Sequence, residues 1–158
     1  MVAISETKLD AADEIERTLL TQNLGPNMRL MAESDLVTRH FFAPRLYARS
    51  LFRRAGSFIV GHKHRTEHMN ILLHGRLRVF MDGEVTELVG PSLPFVSKAG
   101  VRKATYALED STLITFHPTN ETDLDKLEEE LIEKSALFTE LEQAGVIAKL
   151  RGAALEVK

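Results

Sequence analysis

The middle of the chain alternates apolar and polar residues with a period of two, whereas both ends repeat apolar residues every three or four. Near the start, Leu9, Ile15, Leu19 and Leu20, with Ala12 between them, keep a helical spacing until Gly25-Pro26 stops it. Residues 29–44 show no period and read as an arm or loop. From residue 45 to residue 118, short runs between turn residues predict strands at 46–52, 57–60, 69–73, 76–81, 84–89, 95–97, 103–108 and 112–117. Within 76–81, Leu77, Val79 and Met81 share one face and Arg76, Arg78 and Phe80 the other. Asp82-Gly83 then gives a two-residue hairpin signal. Past Pro118, Thr122 is placed to cap a helix whose first residues include Asp123 and Asp125, as the helix dipole favours. Leu124, Leu127, Leu131, Ser135, Phe138 and Leu141 make one face of it, ending near Gly145. Strands at this spacing predict a mainly β domain, an antiparallel sandwich or barrel, with helices at both ends. The chain divides into an N-terminal helix and arm (1–44), a β-domain (45–119) and an acidic helix and tail (120–158).

Composition narrows the classes. A chain of 158 residues, 44% hydrophobic and 27% charged, has the size of one domain and is too apolar for wholesale disorder. No apolar run is long enough to span a bilayer, and the acids spread through the first 25 residues do not fit a signal peptide. The lack of cysteine excludes disulfides, thiolate metal sites and cysteine nucleophiles, and it fits a cytoplasmic setting. The net charge of −3 hides a segregation. Residues 29–103 carry thirteen bases and six acids, whereas 1–28 carry five acids and two bases, and 121–134 seven acids and two bases. A basic middle points to a small anionic ligand, or to acidic segments of this chain or a second subunit lying against it. Nucleic acid is disfavoured as a partner, because aromatic residues are only 6% and tryptophan is absent.

Three of the six histidines, His62, His64 and His68, fall within seven residues. On a strand, His62 and His64 point to one face, and a short turn brings His68 towards the same point. Three converging imidazoles suit Zn, Fe, Ni or Cu rather than Mg or Ca. Single histidines on a surface loop are the plainer alternative.

The spacing Gly56-x5-His62-x-His64-x3-His68-x6-Gly75 resembles the first motif of the cupin superfamily, whose fold is a jelly-roll β-barrel. The family places a glutamate where this chain has His68. At its second motif the family has proline, glycine and histidine, where this chain has Lys98, Gly100 and Lys103. A narrower likeness, carried by 61–65, 70–75, 95–101, 106–110 and 117–119, is to uncharacterised cupins encoded by bacteriophages. The resemblance implies a metal centre built on His62, His64 and His68, with the family's last ligand replaced by Lys103. In this chain Lys103, helped by Arg76, Arg78 or Arg102 if they face inward, is then a candidate to bind the anionic ligand, and Asn70, two beyond His68 on the same face, to hydrogen-bond the ligand or an imidazole. His117 is a further candidate for the pocket, with a structural role the commoner fate of such a residue. A lysine beside a metal dication is costly, so loss of the metal is the competing reading. Two functions follow: a metal-dependent enzyme acting on a small anionic molecule, or a non-catalytic small-molecule-binding or phage accessory protein. A homodimer is expected, through barrel strands or exchange of the arm.

Overall fold

Alternation with a period of two gives each strand one face to bury, and two sheets bury those faces against each other. The computed structural model describes residues 36–81, 83–136, 139 and 143; the helix expected before Gly25 and the tail beyond Gly145 lie outside them. A five-stranded antiparallel sheet has the order β1-β2-β10-β5-β8, from strands Leu36–Ala43, Leu46–Arg53, Ser111–His117, His68–His74 and Phe95–Ser97. Facing it is a four-stranded sheet of order β3-β9-β6-β7, from Phe58–Val60, Lys103–Ala107, Arg76–Met81 and Glu84–Val89. The short strands β4 (Lys63–His64) and β11 (Ile132–Glu133) pair with each other. This is a mainly β jelly roll, although the two large sheets do not join into one closed ring of hydrogen bonds. The arm expected over 29–44 is corrected in part: 36–43 form β1, paired along its whole length with β2.

The glycines of the sequence motif have backbone reasons. Gly75 turns the chain between β5 and β6 with φ +89, and a Cβ there would collide with Ser111 Oγ and the Asp110 carbonyl. The turn between β5 and β6 is thereby packed tightly against the start of β10.

Register decides what lines the interior. In the five-stranded sheet, Tyr47 lies opposite His117, Arg49 opposite Thr115, and Leu51 opposite Leu113. Thr115 and Leu113 in turn lie opposite Asn70 and Leu72 of β5. Successive rungs are therefore aromatic and imidazole, then polar, then aliphatic. The aliphatic rung meets Leu77, Val79 and Ala107 of the other sheet to form the buried core. Burying a leucine such as Leu72 or Leu77 completely stabilises the fold by about 1.5–3 kcal/mol.

A helix, α1 (Leu124–Leu131), closes the histidine end. Its cap is Asp123, whose side chain accepts from the Asp125 and Lys126 amides, rather than the expected Thr122. Leu127 and Leu131 are buried and pack with Tyr47 and Ile132. The helix also stops earlier than its leucine pattern predicts, because Ile132 is extended and starts β11. That strand places Ile132 opposite His64, and the Arg65 amide donates to the Leu131 carbonyl.

Candidate metal centre

Three histidines from three different strands meet at the α1 end. His64 comes from β4, His68 from the start of β5 and His117 from the end of β10. One ring nitrogen of each lies within 4.8 Å of the others. The rings are close, with centroids 4.1 Å apart for His64 and His68, 5.1 Å for His64 and His117, and 4.8 Å for His68 and His117. His68 and His117 are buried, and His64 is half-buried. Tyr47 stacks on His117 from the cavity side. Each strand delivers its histidine by alternation: His68 continues the inward series of Asn70 and Leu72, and His117 that of Thr115 and Leu113.

Burial keeps these imidazoles uncharged. Desolvation is the main cause in all three, pushing His64 down to about 2, His68 to about 4 and His117 to about 3. Repulsion among the histidines and from Arg49 and Lys103 adds to it. A neutral imidazole with a free lone pair is what a metal needs, and Nδ1 of His64 and of His117 is buried without a hydrogen-bond partner. Such nitrogens, bound at about 2.1 Å, suit Zn and similar ions. Nitrogens held tetrahedrally at that distance stand about 3.4 Å apart, so separations of up to 4.8 Å would have to close by up to about 1.4 Å on binding. The donor set otherwise fits a divalent transition metal with open positions left over.

A cavity of about 310 Å³ lies between the histidines and α1. Its lining includes Tyr47, Arg49, His62, His64, His117 and Leu127, with Asp125 and Glu128 on the helix side. Arg49 is the cation in this wall: its Nε is buried without a hydrogen-bond partner, and among the described residues it joins no ion pair. Glu128 is already engaged by Lys134 at 3.3 Å.

The residues singled out from the sequence are distributed unevenly. His64 and His68 are in the cluster; His62 lines the same cavity but stands outside the group, whose third member is His117. The side chain of Lys103 points inward and donates to Ser97 Oγ, which Asn70 Nδ2 also approaches at 2.9 Å. Burial, and less strongly Arg49, pushes the Lys103 ammonium down to about 8. Neither Lys103 nor Asn70 lines the cavity. Arg76 and Arg78 face outward and are corrected as ligand contacts. Leu77 and Val79 take the core side of β6, so the arginines emerge on the other face, beside Glu109 at 3.6 Å and Glu87 at 2.9 Å. Arg49 was not singled out at all; the alternation Tyr47, Arg49, Leu51 along a strand was the available signal.

No family model matches the chain, and no curated protein does. Solved structures do. Salicylate 1,2-dioxygenase from Pseudoaminobacter salicylatoxidans superposes with a TM-score of 0.52 at 18% identity, over 68% of this chain and 31% of that one. KdgF from a Halomonas species reaches 0.49 at 23% identity, over 58% of this chain and 86% of that one. A cupin superfamily protein from Desulfitobacterium hafniense also gives 0.49, at 10% identity, over 59% and 84%. At such identities the likeness is one of fold, and the narrower likeness to bacteriophage cupins gains no support from it. Among the described residues no helix is long and apolar enough to cross a membrane. The two facing antiparallel sheets, the glycine-bounded histidine segment from Gly56 to Gly75 and the superposition on the salicylate 1,2-dioxygenase structure agree with the cupin-type jelly-roll fold expected from the sequence.

Proposed function

We propose that this cupin binds a divalent transition metal through His64, His68 and His117, and a small anionic molecule through Arg49. The observation that carries the reading is the meeting of three neutral imidazoles, two buried and one half-buried, from three strands beside a cavity whose wall holds an unpaired guanidinium. A metal bound there supplies Lewis-acid polarisation of a ligand oxygen. The protein's own part is to orient and to exclude water. Arg49 offers a planar fork to a carboxylate or phosphate. Tyr47, Leu127 and Leu131 keep the wall apolar, and α1 covers the opening. Lys103, held by Ser97, adds positive potential from behind His68 without reaching the cavity. Without cysteine and with this ligand set, the protein is assigned to the cytoplasm, acting on or sensing a small metabolite.

A second reading, a non-catalytic binding protein or phage accessory protein that holds no metal, is favoured by one observation. The centre contains no carboxylate to offset a dication, while Arg49 and Lys103 both disfavour added positive charge there. Titration of the metal-free protein with Co(II), followed by phosphate or malonate, separates the two. The metal reading expects one Co(II) per chain with a histidine-ligand absorption spectrum. It also expects an anion affinity that falls about tenfold to a hundredfold in Arg49→Met, the loss of one charged hydrogen bond. Anion binding unchanged by Arg49→Met removes the anion assignment, and absence of Co(II) binding removes the metal.

A further inference from the structure

At the end of the interior away from the histidines, a second arginine is buried without a counter-charge. Along β2 the inward side chains are Tyr47, Arg49, Leu51 and Arg53. Four residues of strand, about 13 Å, separate Arg53 from Arg49. The aliphatic rung of Leu51, Leu113 and Leu72 lies between them. Arg53 is only 2% exposed. Its Nη1 donates to Thr105 Oγ1 of β9 at 2.6 Å, so the side chain crosses the gap between the two sheets. Nε and Nη2 are buried without a hydrogen-bond partner, and among the described residues Arg53 joins no ion pair. The hydroxyl of Ser57, four residues on and also buried, is a further donor with no partner. Opposite Arg53 in the sheet stand Leu36 and Ser111, neither of them charged. Asp110, next to Ser111, is exposed and already held by Arg54 at 3.3 Å and by the Ala55 amide at 2.8 Å.

A buried lysine or histidine can shed its proton, but a guanidinium keeps its charge, so burial leaves a cation that something must balance. Desolvation pushes Arg53 down to about 10, which still leaves it charged at neutral pH. We propose that this end of the barrel binds one small monovalent inorganic anion, of the size of chloride, on Nε and Nη2 of Arg53. These two nitrogens form the side-on edge of the guanidinium, where two parallel N–H groups converge on one acceptor. Nη1 lies away from that edge and is the nitrogen anchored to Thr105. One negative charge cancels the guanidinium. A second would itself be buried without compensation, and the cost of burying an ion rises with the square of its charge. Facing sheets stand about 10 Å apart and the arginine spans that gap, which favours a single-atom ion over a metabolite. Access is short, because residues 54–56, which turn the chain from β2 towards β3, are all exposed. The site is separate from the one proposed around Arg49, whose ligand is organic and meets the histidines.

Urea unfolding of the full chain tests this, with sodium chloride exchanged for the bulkier sodium methanesulfonate at constant ionic strength. An ion held only by the folded state lowers the unfolding constant in proportion to its concentration once the site is filled. The wild type should therefore lose about tenfold in unfolding constant for each tenfold rise in chloride beyond half-saturation. Arg53→Met keeps an apolar stem without the charge and should abolish that dependence. Comparing the two proteins in the same salt mixtures cancels screening and any binding at Arg49. A second measurement does not depend on the variant folding. Crystals of the wild type grown in sodium bromide should show an anomalous-scattering peak against the Nε and Nη2 edge of Arg53. A wild type whose unfolding ignores chloride, a dependence that survives in Arg53→Met, or water alone beside Arg53 in the bromide crystals would overturn the inference.

Discussion

Two adjacent rungs of one sheet interior differ completely in chemistry. Arg49, Thr115 and Asn70 form one, and Leu51, Leu113 and Leu72, two residues along the same strands, form the next. The aliphatic rung closes against Leu77, Val79 and Ala107 and leaves no polar atom to satisfy. The polar rung and the histidines above it keep Arg49 Nε, Asn70 Oδ1, His64 Nδ1 and His117 Nδ1 buried without partners. Each such group costs about 1–3 kcal/mol relative to its hydrated state. Orphaned atoms also lie beyond the aliphatic rung, at Arg53 Nε and Nη2, so what sets the polar end apart as the proposed ligand end is the convergence of Arg49, His64 and His117 on one cavity.

The largest effect should come from the aliphatic end. Leu72→Ala leaves a cavity in a site with no exposure and should lower unfolding stability by about 2–5 kcal/mol in urea, without changing metal affinity. An unchanged urea midpoint would show that the core lies elsewhere. Next in size is the metal end. His117→Leu removes one ligand and one orphaned nitrogen, so Co(II) affinity should fall at least a hundredfold, while the metal-free protein becomes no less stable. His62→Leu should keep the affinity within a few-fold, because His62 stands outside the cluster. If the two variants exchange behaviour, the ligand set is His62, His64 and His68 after all. The smallest effect is a pH dependence in the metal-free protein. The folded histidines titrate at about 2 to 4 and unfolded ones near 6.5, so only the unfolded chain takes up protons in between. Their contribution is complete above about pH 6.5 and is lost progressively as the pH falls below that, down through the folded values of about 4 to 2. The urea midpoint should therefore drop between pH 7 and pH 5, and the drop should be smaller in His117→Leu.

Much of the fold was legible because its signals are local. Alternation located the strands from Leu46 to His117, and the turn glycines divided them. Even the outward course of Arg76 and Arg78 was written in their alternation with Leu77 and Val79. β1 was missed because seven of its eight residues are exposed, so neither face imposes a period on the sequence. The break after Leu131 was missed because the leucine pattern runs on, while pairing of Ile132 with His64 ends the helix.

The sequence by itself determined the strands between Leu46 and His117, the tight turn at Gly75 and the approach of His64 to His68, since all of these are written in residues near one another in the chain. Tertiary structure alone decided that His117, forty-nine positions beyond His68, completes the cluster. It also decided that Arg49 rather than Lys103 faces the cavity. Both follow from strand register. Pairing of β10 with β2 and β5 sets which inward side chains share a rung, and hydrogen bonding along whole strands fixes that choice, with no mark at the residues themselves.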